Sequence, residues 1–512
     1  MNKIRILCVS ALMASLLMGC VQTDATNTTN TTQTIADGIK ITFTDSVINT
    51  SSTTGIEING TNLTIDQSGT YVLSGSCANG SVKVKKGTTG VHIILNGLTL
   101  TSQDTAPIVC AKSSEVTIEV ADNSENTLCD TENNSDENGN LNAENAVIKC
   151  KDGSNVTLCG SGTLNIQANG KNGIQSGAST DTEGEASLTI QDLTLNIKAS
   201  VNDAVNAESE LNVLSGAITI SSGDDALHSD MILNIGEDGS DGPSITITDC
   251  NEGLEGAVVN VYSGDIDIIS TDDCINAANA DLTDYAYEIN ISGGTITAYS
   301  SEGDGFDSNG DLTISGGNVT VWTANAADNE PLDADGTVTV SAGTVFAAGG
   351  SSGMGINLEA TQPCVIYTNT GTMDMKDFPA DDGKQFDGSQ SPEINGEKPS
   401  EDQQNNEKQP PEMNGGNNAP QGNTGGMQNA MLSESSSFTI TDSDGNVLYE
   451  GNAVCDASYV FYSSSEIASG TTYTLTIGDA TAECEGQAGT IAGGMGGGAP
   501  MNQLSKKEDK SV

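Results

Sequence analysis

The chain has 512 residues with 18 Lys and Arg against 70 Asp and Glu, a formal net charge of −52 at pH 7. Charge of that sign repels phosphate backbones and anionic lipid head groups, so nucleic acid is excluded as a partner and cations are favoured. Only 4% of residues are aromatic, with one Trp, and Thr, Ser, Asn, Gly, Ile and Val abound, which predicts many short strands joined by turns around a core without large rings.

Lys3 and Arg5 precede an apolar run, Ile6 to Met18, that is too short for a bilayer and ends in Leu17-Met18-Gly19-Cys20. This reads as a secretory signal over 1–19. The tetrapeptide resembles a bacterial lipobox, which makes Cys20 the expected lipidation site. The protein is then expected on the extracellular face of a Gram-positive-type cell membrane, held there by the lipid alone. The Thr/Asn-rich stretch 20–37 has no periodicity and reads as a flexible tether.

From residue 38 to about 200 alternating runs such as Val91-His92-Ile93-Ile94-Leu95, Val116-Thr117-Ile118 and Leu164-Asn165-Ile166 predict strands, interrupted by an Asn/Glu/Asp-rich insertion at about 130–145. His92 within such a strand is read as an ordinary packed or surface histidine. No CxxC pair occurs, so a zinc ribbon is not expected. Most cysteines read as small buried fillers, with Cys455 and Cys484 as a candidate disulfide pair.

From about residue 200 a unit recurs: an acidic residue, a small one, an apolar one and a polar one. Its copies are Asp203-Ala204-Val205-Asn206, Asp225-Ala226-Leu227-His228, Glu252-Gly253-Leu254-Glu255, Asp273-Cys274-Ile275-Asn276, Asp304-Gly305-Phe306-Asp307 and Glu330-Pro331-Leu332-Asp333, at intervals of 22, 27, 21, 31 and 26 residues. Asn172-Gly173-Ile174-Gln175 is a weaker copy one step earlier. Two alternating strands and a Gly turn follow each unit. A repeat of a little over twenty residues with short strands is the signature of a parallel β-helix. Stacking at about 4.8 Å would align Val205, Leu227, Leu254, Ile275, Phe306 and Leu332 in one core column. It predicts two outward columns beside it: Asp203, Asp225, Glu252, Asp273, Asp304 and Glu330, and Asn206, His228, Glu255, Asn276, Asp307 and Asp333. Stacked carboxylates repel and invite a counter-ion, and converging side-chain and backbone oxygens suit Ca²⁺ better than Mg²⁺. The predicted metal ligands are these acids together with Asp224, Asp272 and Asp335. The bland alternative is that each acid merely bonds local turn backbone. Asn206, His228 and Asn276 are candidate ligand-binding residues in the second column. Alignment on the turn glycines places Tyr299 and Trp322 side by side on adjacent strands, either as a stacking platform for a sugar ring or as a patch that packs under another segment.

The main solenoid is expected over 38–375. Residues 376–431 turn to Pro, Gly, Asn, Gln and Asp and read as a disordered insertion. Strands return over 432–485 as a small C-terminal β cap that covers an otherwise open edge, and 486–512 reads as a flexible tail.

The lipobox, the Val-His-Ile-Ile-Leu-Asn-Gly strand, the run Val116 to Leu128, the DDALHS, EGLEG and GDGFDSNG units and the Ser-Gly-Thr-Thr-Tyr-Thr-Leu ending together resemble the clostridial carbohydrate-binding β-helix lipoproteins. The resemblance covers most of 38–485. It implies an all-β, right-handed parallel β-helix similar to family nine pectate lyases, with bound Ca²⁺ and affinity for cellulose or acidic sugars such as polygalacturonate, in plant-type or microbial polysaccharide. The long Pro/Gly/Asn insertion departs from that pattern. Elimination would need a base, and the units from Asp203 to Asp335 contain no Lys or Arg. Only His228 within them, and Lys198 before them, offer one. Non-catalytic binding is therefore the expectation, with a calcium-dependent lyase and a calcium-stabilised structural adhesin as the alternatives.

Overall fold

The computed structural model describes residues 37–279, 282, 285–326, 329–350, 357–368, 432–478 and 480–492. The signal segment, Cys20, nearly all of the tether and the 376–431 insertion lie outside the described residues. Apart from one short 3-10 turn at Asp136–Asn138, the regular structure is strand. No helix among the described residues is long and apolar enough to cross a membrane.

Three parallel ladders account for most of the pairing. The first runs through Ser81–Val84, Ile108–Cys110, Ala146–Cys150, Asn172–Ser176, Val205–Ala207, the start of Leu227–Ile235, the start of Leu254–Val261, Ile275–Ala277 and Phe306–Ser308. The second contains Ser187–Ile190, Glu210–Val213, Glu288–Ile291, Asp311–Ile314 and Val338–Val340. The third contains Thr194–Ala199, Ala217–Ser222, Ser244–Asp249, Asp265–Ser270, Thr295–Ser300, Asn318–Thr323 and Thr344–Gly349. The chain thus visits each ladder once per repeat and stacks every repeat on the one before it.

The acidic unit has a structural reason for its small second residue. Backbone bonding between successive copies begins before the strand itself: Ala204 donates to the Asp225 carbonyl, Gly253 to Asp273, Cys274 to Asp304 and Gly305 to Glu330, at 2.9–3.2 Å. At this approach a Cβ on Gly305 would lie 2.3 Å from the Pro331 carbonyl oxygen, and one on Gly253 would lie 2.4 Å from that of Cys274. The third residue then turns inward. Val205 pairs with Leu227, Leu227 with Leu254, Leu254 with Ile275 and Ile275 with Phe306, and Phe306 bridges to Leu332. All six are buried, as the sequence predicts, and Ile174, Ile148, Ile108 and Val82 continue the column toward the N-terminus. Burial of each such side chain contributes about 1.5–3 kcal/mol. On the second ladder the outer face carries an amide chain in which Asn234 donates to Asn212, Asn260 to Asn234 and Asn290 to Asn260, at 2.9, 2.9 and 3.2 Å.

The C-terminal strands close the second and third ladders. Tyr459–Ser463 pairs antiparallel with both Thr344–Gly349 and Asn357–Thr368, while Ser437–Thr441, Val447–Asn452, Thr472–Ile477 and Ala480–Glu485 form a separate four-stranded sheet. The expected flexible tail over 486–512 needs correction at its start, and residues 493–512 lie outside the described residues. Gln487–Ala492 is a strand paired with Asn357–Thr368, because that strand's edge is left open where Tyr459–Ser463 does not reach.

The aromatic pair also needs correction. Tyr299 and Trp322 are register neighbours as expected, but Trp322 is 3% exposed. Its ring packs 5.3 Å from Phe346 and 6.0 Å from Phe438, and Phe346 stacks on Tyr449 at 4.6 Å. Tyr299 is half-buried at the margin of the same cluster. The pair is the apolar seat of the C-terminal segment, not an open sugar platform. Cys455 and Cys484 are free thiols rather than a disulfide. The Cys455 thiol turns to the Thr323 carbonyl at 3.1 Å, while Cys484 lies opposite Tyr473 in the separate sheet. Cys77, Cys110, Cys150, Cys250, Cys274 and Cys364 are buried fillers, as read from the sequence. Trp322→Ala is expected to destabilise the fold by about 3–5 kcal/mol through the cavity it leaves, measured by denaturant unfolding; an unchanged midpoint would contradict the seat.

Candidate cation and carbohydrate site

Register fixes the second column. Gln175 pairs with Asn206, Asn206 with His228, His228 with Glu255, Glu255 with Asn276 and Asn276 with Asp307, so the sequence alignment of the units holds residue by residue. The first column is not outward-facing as expected. Asp203, Asp225, Asp273 and Glu330 keep 3, 7, 9 and 8% exposure. For Asp203 and Asp273 the reason is a bond to the neighbouring repeat, and Asp304 makes the same bond. The Asp225 backbone N–H donates to Asp203 Oδ1 at 3.3 Å, that of Asp304 to Asp273 Oδ1 at 2.7 Å, and that of Glu330 to Asp304 Oδ1. The first column therefore does part of the backbone work that the bland reading assigned to it, and its other oxygens face the second column.

Three groups result, each with ligand atoms within 4.8 Å of one another: Asp203, Asp225 and His228; Asp225, Glu252 and Glu255; and Asp304, Asp307 and Asp333. The two ends of this run solve the charge problem differently. His228 Nδ1 faces Asp225 Oδ2 at 3.1 Å and also Glu255 Oε2, while Nε2 faces Asp230 Oδ1 at 3.0 Å. Burial opposes charge on this ring, yet the hydrogen bonds to Asp225, Asp230 and Glu255 push its pKa up to about 12. The imidazolium is a built-in cation. Asn206 Nδ2 donates to Asp203 Oδ2 at 2.6 Å, and Asn276 Nδ2 to Glu252 Oε2 at 2.9 Å.

Asp304, Asp307 and Asp333 have no such side chain among them. Asn276, next to Asp307 in the column and 7% exposed, holds its Oδ1 buried without a hydrogen-bond partner. A buried acceptor of this kind costs about 1–3 kcal/mol unless something positive meets it. The three carboxylates are a hard-cation donor set of the kind Ca²⁺ takes, and the orphan amide oxygen belongs to the adjacent step of the column. Asp272 and Asp335 lie close enough to raise the Asp307 pKa, whereas Asp224 acts on Asp203. Glu330 contributes its backbone N–H to Asp304, and its side chain is outside the three groups.

Burial, reinforced by neighbouring acids, lifts Asp203 and Asp307 to about 6, Asp273 to about 7, and Glu252 and Asp304 to about 8. The folded chain thus binds protons that the unfolded chain, with acids near their ordinary values of about 4, has released. Stability in chelator must then fall as pH rises from about 4 to about 8. Asp304→Asn removes one such charge while keeping an oxygen for the Glu330 N–H. It is expected to raise Tm at pH 8 in chelator and leave it unchanged at pH 4; calorimetry that finds the same shift at both pH values would refute the charge account.

Several residues escaped the sequence reading. Asp230 follows the His228 unit and completes the imidazolium's partners, although Asx after a strand residue carries no signal of its own. Lys149 and Gln175 extend the second column backward, with Lys149 paired to Gln175 and to Val109. The weaker unit at Asn172 already named Gln175, but the step 26 residues earlier, Ala146-Val147-Ile148-Lys149, lacks the acidic first residue that marks the others. His92 is an ordinary surface contact, 2.7 Å from Glu119 Oε2.

A family model described as carbohydrate-binding domain-containing protein matches residues 59–350 and 235–383. The chain belongs to this family. A protein of Acetivibrio thermocellus described in the same words is 32% identical over 143 residues, 28% of this chain. The match spans 49% of that relative, so the chain covers about half the length of the curated relative. A solved structure described as the polysaccharide lyase-like protein from C. thermocellum, gadolinium derivative, aligns over 60% of this chain and 93% of its own. Its identity is 22% and its TM-score 0.33, a likeness too loose to transfer fold or ligand. Family membership supports polysaccharide as the ligand class.

Proposed function

We propose that the chain is an extracellular, lipid-anchored, non-catalytic polysaccharide-binding protein in which Ca²⁺ on the acidic columns bridges to an acidic sugar polymer. The observation that carries this reading is the group of Asp304, Asp307 and Asp333 beside the orphan Asn276 Oδ1. These side chains would hold the ion, and the ion would supply the positive charge that lets so acidic a surface take a uronate carboxylate. The three ladders, each pairing one repeat with the next, support a right-handed parallel β-helix as the frame. Family membership supports the carbohydrate. Cellulose, whose hydroxyls can also ligate a cation, is the neutral counterpart.

Non-catalytic binding is favoured over elimination by the surroundings of His228. Both ring nitrogens face carboxylates, so neither offers a lone pair to take a C5 proton. Lys198 is exposed and lies on the third ladder, away from the acidic groups of the first. The expected result is retention of the full chain on immobilised polygalacturonate in Ca²⁺, elution by chelator, and no rise in the absorbance of unsaturated products. Asp307→Asn with Asp333→Asn should lose retention by more than about tenfold, equivalent to about 1.4 kcal/mol. Rising absorbance would establish a lyase instead. Chelator-sensitive melting without retention on any glycan would establish the structural adhesin.

A further inference from the structure

The column that carries Glu255, Asp307 and Asp333 changes sign toward the N-terminus. Followed backward through register, it passes from Glu255 to His228, Asn206, Gln175 and Lys149. Lys149 is unlike the other described lysines. Lys86, Lys112, Lys151 and Lys171 each hold a carboxylate, from Glu183, Asp152, Glu144 and Glu137. Lys40, Lys83, Lys85 and Lys198 are exposed and can be solvated freely. Lys149 is half-buried, and its ammonium donates only to an amide oxygen, Gln175 Oε1, at 2.7 Å. On its other side the register neighbour is Val109, which offers nothing polar.

In a chain of net charge −52, a half-buried ammonium without a carboxylate is an unmet demand. The nearby acids do not meet it. Glu144 is committed to Lys151 at 2.7 Å, and Glu208 attracts Lys149 electrostatically but makes no ion pair with it. Burial lowers the Lys149 pKa, and Glu208 only partly offsets this. The arrangement leaves two of the three ammonium donors for a ligand, with Gln175 fixing the direction of the third. A charge-assisted bond to a carboxylate is about twice as strong as a neutral one.

We propose that Lys149 and Gln175 form a carboxylate-binding subsite for an acidic polysaccharide, on the same outward column as the cation-holding acids. This rests on the binding function proposed above and goes beyond it. A polymer laid along the column is gripped directly by an ammonium at one end and through a divalent ion at the other.

The test is calorimetry of the full chain with galacturonate oligomers, in Ca²⁺ and in chelator, with their methyl esters as the neutral probe. Lys149→Met should weaken oligomer affinity in Ca²⁺ by about tenfold and leave ester binding unchanged. Lys149→Arg should retain affinity. Gln175→Glu supplies an internal carboxylate and should weaken affinity as Lys149→Met does, with Tm raised rather than lowered. Wild-type affinity in both Lys149→Met and Gln175→Glu, while Asp307→Asn still impairs binding, overturns the subsite and leaves the calcium-bridged function standing. Absence of oligomer binding by the unsubstituted chain overturns both.

Discussion

Backbone pairing between successive repeats is the constraint from which the rest follows. Once Val205 must sit on Leu227 and Leu227 on Leu254, every other position in the unit stacks on the same position of the next. For the apolar residue this is favourable, since like side chains fill a continuous core. For the acid it is not, since like charges are brought to neighbouring steps about 4.8 Å apart. The electrostatic problem is therefore a product of the fold and cannot be relieved by moving one residue.

The chain relieves it in three ways along one line. Oxygens of Asp203, Asp273 and Asp304 are spent on backbone N–H groups of the next repeat, which turns part of their charge to structural use. His228 places an imidazolium among Asp225, Asp230 and Glu255. Amides at Asn206 and Asn276 interrupt the acids in the second column and donate across to the first. Only around Asp304, Asp307 and Asp333 does none of these side-chain devices complete the balance, and there an amide oxygen waits without a donor. The proposed cation site lies where structural compensation stops.

The repeat was legible because its apolar member recurs with a small residue before it, and both are demanded by close packing. The core column and the second outward column followed directly from that register. Side-chain direction in the first column was not legible: an acid at a strand's start looks the same in sequence whether it faces solvent or bonds the next repeat. Trp322 failed for a related reason. Its outward position was correct, but what covers it comes from Phe438 and Tyr449, more than a hundred residues on. Lys149 was not marked because its step, Ala146-Val147-Ile148-Lys149, keeps the apolar member and lies 26 residues before its partner Gln175, but lacks the acidic first residue by which the later units are recognised.

The strands Tyr459–Ser463 and Gln487–Ala492 run against the direction of those they close. A stack of identical parallel steps has no intrinsic length; reversed strands give it a terminus that differs from every internal step. Because each internal step touches only the one before and the one after, duplication or loss of a whole step leaves both termini unaltered. The length of the outward columns on which a polymer is proposed to lie is thus a counted quantity, open to change by gene duplication in single-step increments without any redesign of the ends.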